Sequence, residues 1–302
     1  MQLLDIKNKI LIVEKDNDIL IINKKTFKIE CTIKMINNIG YFSSTQLTST
    51  GNIACCREDG NISIFNIETK FPKLIETINI LDRKMIYRIK EITNSRLISN
   101  QNEKSLIFYK YNKKNLKITN KIRMENYIEN LLPTKNNDIL LYANFFCPRY
   151  HFKILLFDAE NLKITKKILS CDGNSEIYEP FSFLTKNIIA IVINTSLFLV
   201  DMNQDYSVIS KIEGQNSKWI NGICCFNSKK IVTGDKSGKI ILWDYENNIL
   251  NKKYEYQLEK VSNLNLSCLM KLRNNLFLVG GEYRFINVFN FYKKNEEKTN
   301  KK

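Results

Sequence analysis

The chain has 302 residues and a mass of 35.5 kDa, with 44% hydrophobic and 25% charged residues. That balance excludes wholesale disorder, a collagen-like fibre and a small disulfide-stapled scaffold. The net charge is +15, but it rests on 38 Lys and only eight Arg beside 39 Asn. This is the composition an A+T-rich coding sequence produces, so the charge reads mainly as compositional bias and only secondarily as an attraction to polyanions.

The chain opens with MQLLDIKNKILIV, in which Asp5, Lys7 and Lys9 interrupt the apolar core a signal peptide requires. No apolar run approaches the roughly 18 residues of a membrane span; Ile188–Ile193 is six residues long. A cytoplasmic location is expected, with the nucleus as the alternative. The eight cysteines fit a reduced compartment. Cys55–Cys56 and Cys224–Cys225 lie inside apolar runs, where cysteine acts as a small buried residue.

Taken in order, seven segments repeat one pattern: DILIINKKT, NISIFNIET, SLIFYKYNK, KILLFDAEN, SLFLVDMNQ, KIILWDYENN and FINVFNFYK. Each alternates apolar and other residues up to a bulky marker, and turn residues follow. The markers are Ile22, Phe65, Tyr109, Phe157, Val200, Trp243 and Phe289, with successive spacings of 43, 44, 48, 43, 43 and 46. The next position reads Asn23, Asn66, Lys110, Asp158, Asp201, Asp244 and Asn290. Upstream of each marker lies a second apolar run, such as KILIV, NIACC, NIIAIVI and KIVTG. Before that comes a third, such as MIYRIKEI, WINGICCF and LSCLMKL, and a fourth run follows most markers, as in NLKITNKI. Asn-containing turns, among them Asn94-Ser95, Asn136-Asn137 and Asn227-Ser228, separate the runs upstream of the marker. Asn tolerates the left-handed backbone that tight hairpins need. Period-two alternation dominates throughout, and no helical period is sustained.

Four strands per unit, repeated seven times, predicts an all-β fold, a seven-bladed β-propeller of four-stranded antiparallel blades. A single blade cannot bury both faces alone, so neighbours must cover one another. The propeller is expected over residues 1–292, with 293–302 a charged C-terminal tail. Gln2–Ile6 reads as the first strand of blade 1, while YKKNEEKTNKK after Phe289 is poor strand material. The last blade is therefore expected to have three strands of its own, or to take its outermost strand from a partner.

The unit Gly214–Asp244, GQNSKWINGICCFNSKKIVTGDKSGKIILWD, resembles the WD-repeat family. Gly214-Gln215 stands where the family has Gly-His, and Trp243-Asp244 is the Trp-Asp pair itself. The resemblance implies a propeller that binds protein or peptide partners as a non-catalytic scaffold or adaptor within a multiprotein complex, monomeric by itself. It implies contacts through the face that carries the loops before each blade's inner strand. Trp219 and Asn221 fall there, with Met85, Tyr87 and Tyr127 at the matching places and Arg57, Tyr150 and Lys236 beside the blade turns. Trp219 has two readings, an exposed binding residue or a ring packed under a neighbouring loop. The family's buried His–Ser/Thr–Trp–Asp network cannot form as in the family, because no unit has the partner His. Apolar packing is then expected to carry the blades.

No P-loop, Gly-x-Gly-x-x-Gly or Gly-x-Ser-x-Gly occurs, so no catalytic residue and no cofactor is assigned. No metal site is assigned either: the chain lacks Cys-x-x-Cys, and His151 is its single histidine. His151 occupies a blade-turn slot, which gives it a structural role. A polyanion-binding propeller, for RNA or an acidic protein tail, is the alternative function. Its basic rim would be Lys110, Lys113, Lys114, Lys117, Lys121 and Arg123, a stretch without an acidic residue. Lysines on an outer strand also guard against edge pairing, which is the competing reading of the same residues.

Overall fold

The computed structural model describes residues 2–13, 18–37, 39–69, 71–79, 84–93, 95–101, 104–112, 115–134, 137–146, 150–172, 180–214, 218–258, 266–273, 276–281 and 286–290. Blade 1 comprises β1 (Gln2–Ile6), β2 (Lys9–Val13), β3 (Ile19–Asn23) and β4 (Ile29–Ile33). Blade 2 comprises β5 (Tyr41–Gln46), β6 (Ile53–Arg57), β7 (Ile62–Asn66) and β8 (Lys73–Ile78). Blade 3 is β9 (Ile86–Thr93), β10 (Arg96–Gln101), β11 (Ser105–Asn112) and β12 (Asn115–Arg123). Blade 4 is β13 (Tyr127–Pro133), β14 (Asp138–Phe146), β15 (Tyr150–Asp158) and β16 (Lys163–Asp172). Blade 5 runs through β17 (Phe181–Phe183), β18 (Ile188–Ile193), β19 (Ser196–Asp201) and β20 (Ser207–Ile212). Blade 6 runs through β21 (Ile220–Asn227), β22 (Lys230–Asp235), β23 (Lys239–Glu246) and β24 (Ile249–Gln257). Among the described residues blade 7 has three strands, β25 (Leu266–Arg273), β26 (Leu276–Gly281) and β27 (Ile286–Asn290). Every blade is an antiparallel meander, as the repeat predicts. Two compact units divide the chain: Gln2–Gly173 holds blades 1–4, and Asn174–Lys302 holds blades 5–7. The charged tail from 293 lies outside the described residues.

The middle strands are apolar on both faces because both are covered. In the first unit, Leu11, Ile21, Ile53 and Phe65 join blade 1 to blade 2. Ala54, Ile64, Ile107 and Tyr109 join blade 2 to blade 3, and Ile98, Phe108, Leu141 and Phe157 join blade 3 to blade 4. In the second unit Val232, Leu242, Phe277 and Val279 join blade 6 to blade 7. Each buried Val, Leu, Ile or Phe among them is worth about 1.5–3 kcal/mol relative to exposure. The fourth strands see solvent on one side, so β12 and β24 are exposed at most positions.

The marker register has a backbone counterpart. In all six four-stranded blades the ladder between the third and fourth strands slips by one residue just before the marker. The extra residue lies on the fourth strand: Glu30, Ile75, Thr119, Thr165, Ile209 and Lys253. A bulge there increases the local twist and breaks the regularity of an outer edge. The residue after the marker closes the turn that follows. Asn23 Oδ1 accepts the amides of Lys25 and Thr26, and Asp158 Oδ1 those of Glu160 and Asn161. Asn66 and Asp201 do the same for Glu68 and Asn203. In blades 3 and 6 the hairpin is longer, so Lys110 and Asp244 stay in the ladder. Asn112 and the left-handed pair Asn247–Asn248 make those turns.

Part of the buried polar network does form, which corrects the expectation that apolar packing alone carries the blades. Trp243 Nε1 donates to Thr233 Oγ1 at 2.9 Å in the blade 6 core, and Tyr109 and Ser99 hydroxyls bond at 2.8 Å in blade 3. Both oxygens lie ten residues before their markers. The apolar markers Ile22, Phe65 and Phe289 have Ile12, Cys55 and Val279 at that distance.

Candidate functional site

The candidate site is built where the chain enters each first strand. A second recurrent bulge sits there. In blades 2, 3, 4, 6 and 7 the ladder between first and second strands slips around Phe42, Tyr87, Glu129, Asn221 and Ser267. The bulge turns a side chain out of strict alternation, which is how an inward strand can present a group at its end.

In the first unit this places two aromatic rings from neighbouring blades in contact. Phe42 and Tyr87 lie 5.4 Å apart, and Tyr87 Oη reaches Met85 Sδ at 3.6 Å. Both rings are half-buried, while Met85 is 43% exposed. Tyr127 of blade 4 is half-buried too, with Lys104 Nζ 4.4 Å from its ring centre. Gly60 makes room for the approach to Met85. It adopts φ +80° in the β6–β7 turn, where a Cβ would lie 2.4 Å from the Lys84 carbonyl oxygen. That carbonyl also accepts from Gln101 Nε2 at 3.2 Å, so Lys84 is held from two sides.

Arg57 does not present its guanidinium to a partner. It is 3% exposed, pairs with Asp59 at 2.9 Å and donates to the Ile36 carbonyl at 3.3 Å. A buried guanidinium needs such a carboxylate, and here the pair tethers the lead-in to β5. Gln101 occupies the corresponding place in blade 3 and tethers the lead-in to β9. Sequence spacing placed Arg57 beside a turn correctly, but could not tell a strand-terminal residue facing inward from one facing solvent.

In the second unit Trp219 lies immediately before β21 and is half-buried. Lys236 donates its amide to the Trp219 carbonyl at 3.0 Å and holds Nζ 4.7 Å from the Trp219 ring centre. Trp219 is thus neither fully exposed nor fully packed away, and a cation lies over its ring. Asn221 is fully buried at the bulge, and its amide has no hydrogen-bond partner among the described residues. It therefore belongs to the frame of the site rather than its surface. Asp235, paired opposite Ile220, accepts from the Ser237 amide and hydroxyl and the Lys239 amide through Oδ1. Sequence reading passed over Asp235 because the family slot for a turn Asp falls on Ser237. Its position four residues beyond the partner of the marker, matching Arg57 and Gln101, was the available signal.

Tyr150 begins β15, opposite Phe146, and its side chain lies outside the described residues. His151 Nδ1 bonds to Asp172 across the β15–β16 ladder. Burial pushes the Cys56 thiol up to about 12 and raises those of Cys55 and Cys224 well above the ordinary range. These are unreactive core residues. Among the described residues no group of three or more His, Cys, Asp or Glu could hold a metal ion.

Of the basic rim, Lys110, Lys117, Lys121 and Arg123 are exposed on the outer strands of blade 3, and Lys113 and Lys114 lie outside the described residues. Lys110 and Lys117 are directly opposed across β11 and β12. In blade 6 Lys239 and Lys252 pair with Glu255, and Lys253 pairs with Asp244.

Six four-stranded antiparallel blades and a three-stranded seventh define a seven-bladed β-propeller. Comparison with solved structures agrees: the neighbours are WD40 propeller domains. The Cps50 (Swd1) β-propeller domain of Myceliophteria thermophila superposes with a TM-score of 0.70 at 9% identity, covering 93% of both chains. U3-55K gives 0.69 at 10% identity, covering 91% of this chain and 85% of that one. The RRP9 WD40 repeats give 0.67 at 10%, covering 91% and 84%. No protein-family model matches the chain, and no curated protein does. At these identities the likeness concerns the fold.

Proposed function

We propose that this propeller is a non-catalytic scaffold that binds extended protein or peptide segments at the first-strand lead-ins. The observation that carries the reading is the contiguous Phe42–Tyr87–Met85 cluster between blades 2 and 3, apolar and open at Met85. Large aromatic surface combined with a partly dry setting is what binding hot spots require. Trp219 under Lys236 offers a second, separate anchor with the same chemistry. The fold-level likeness to WD40 domains agrees with this function.

A second reading has its own observation. β12 contains no acidic residue, and the opposed Lys110–Lys117 pair is a like-charge contact that an anion would relieve. An acidic tail or RNA on this rim is the polyanion alternative.

Affinity purification of the tagged protein at about 50 and 200 mM salt, with and without nuclease, separates the two. A set of proteins that survives high salt and nuclease, and is lost in M85A and Y87A, is expected. Recovery of nucleic acid at low salt only, with the protein set absent, would replace the scaffold reading by the rim.

A further inference from the structure

β8 is the edge strand of blade 2, and among the described residues it pairs with β7 alone. It carries an exposed apolar patch. Phe71, just before the strand, is 73% exposed, and Leu74 and Ile75 are each 42% exposed. No other large apolar side chain among the described residues is as exposed as Phe71. A strand edge with such a patch either carries charges that repel partners or meets one. β12 is of the first kind, with Lys117, Lys121 and Arg123 and no acid. In β24 the charges are already used within the chain, where Lys252 pairs with Glu255. β8 has one charge of each sign, Lys73 and Glu76. Lys73 is exposed, and Glu76 Oε2 is buried with no hydrogen-bond partner among the described residues. Burial raises the Glu76 carboxyl, as it does for an acid that lacks a counter-charge.

Run in opposite directions, Lys73-Leu74-Ile75-Glu76 is its own complement. Two copies of β8 laid antiparallel about a twofold axis between Leu74 and Ile75 oppose Lys73 to Glu76 and Leu74 to Ile75. The symmetry makes each pair twice. Phe71 of one copy then falls beside Ile78 of the other, which is half-buried against the core shared by blades 2 and 3. The faces of the sheet agree with this register. Lys73 is paired with Asn66 and Glu76 with Ile64, so both lie on the face of blade 2 that carries Ile64. Leu74 lies on the other face with its partner Phe65, and the bulged Ile75 stays on that side. A slip by two residues in either direction leaves Lys73 and Glu76 unopposed. Opposite charges directly across a pair of strands attract, and like charges repel.

We infer that the β8 edge is a docking site for a second copy of this chain, which joins two blade 2 sheets through the Lys73–Glu76 and Leu74–Ile75 contacts. The contact is isologous, so it closes at two copies. It is short, and each strand bulges at Ile75, which places it at the weak end of interface sizes. It departs from the monomer that the WD-repeat resemblance implies. The surface is distinct from the first-strand lead-ins, and the two sites stand or fall separately.

Sedimentation of the 302-residue protein from about 1 μM to about 1 mM should show the mean mass rising from one chain toward two. The β8 amides should exchange more slowly as the dimer fills. K73E sets Glu opposite Glu, and E76K sets Lys opposite Lys, so each alone should weaken the dimer about tenfold. Mixing the two variants should restore association, because each supplies the charges the other lacks. The double variant K73E/E76K should dimerise like the parent, and so should Y87A and W219A. A protein that stays monomeric at about 1 mM overturns the inference. So does a dimer that K73E leaves unchanged, or a mixture of K73E and E76K that associates no better than either alone. Protection of β8 that appears only with a different, captured protein would assign the edge to that protein instead.

Discussion

Trp243 and Tyr109 each carry a polar atom into an otherwise apolar blade core, and each meets a hydroxyl ten residues upstream. A buried donor without its acceptor loses far more than the bond's net worth. T233V should therefore lower unfolding stability by about 1–3 kcal/mol, although the side chain keeps its shape. In blade 3 a double-mutant cycle isolates the pair. Y109F should cost about 1–2 kcal/mol, and S99A combined with Y109F should cost little more than Y109F alone. Strict additivity of the two single substitutions, measured by urea unfolding, would mean the hydroxyls do not interact. The pairing was legible in sequence, because a polar marker occurs with a hydroxyl at that distance and apolar markers with apolar residues. Arg57 and Asn221 were legible as to place but not as to direction. One bulge residue decides which way a strand end points, and bulges leave little trace in composition.

At the scale of the strand and turn, the approach of blade 2 to the Met85 lead-in depends on Gly60. Gly60 and Gly214 both have positive φ, +80° and +67°, but a Cβ on Gly214 would meet nothing within 4 Å. The two sites separate conformational strain from contact. G214A should cost about 1 kcal/mol for the left-handed backbone alone. G60A should cost clearly more, about 2–4 kcal/mol, because the obstructing atom is the Lys84 backbone oxygen and cannot rotate away. It should also disturb the Tyr87–Met85 contact, visible as a change in Tyr87 NMR shifts or fluorescence. Equal costs at the two glycines would show that the turn yields instead. The fourth strands belong to this scale as well. In blades 1, 2, 4 and 5 the turn before the fourth strand is closed by the Asn or Asp after the marker, whereas the slip in the ladder beside it emerged only once strands were paired.

For the whole molecule, the cysteines set a pH dependence. Burial raises the folded-state thiols of Cys55, Cys56 and Cys224, with Cys56 at about 12, while in the unfolded chain they ionise near 8.5. Above that pH the folded state holds more protons than the unfolded state, so stability falls as pH rises. The stabilising protons are fully in place below about 8.5 and are lost progressively toward 12, at up to about 1.4 kcal/mol per pH unit for each thiol. Urea midpoints should thus drop between pH 7.5 and 10, and C55A with C56A should flatten the slope. A midpoint independent of pH across that interval would show that water reaches these thiols. What the sequence by itself determined was the repeat: period-two alternation, seven markers and turn residues at fixed offsets are local properties, and local properties survive in a single strand of text. What only the tertiary structure decided was which side chains lie at the surface. That includes the burial of Arg57 with Asp59 and the meeting of Phe42 with Tyr87. Each depends on how one blade lies against the next or on a one-residue slip between strands, and the free energy of such contacts is shared by residues far apart in the chain.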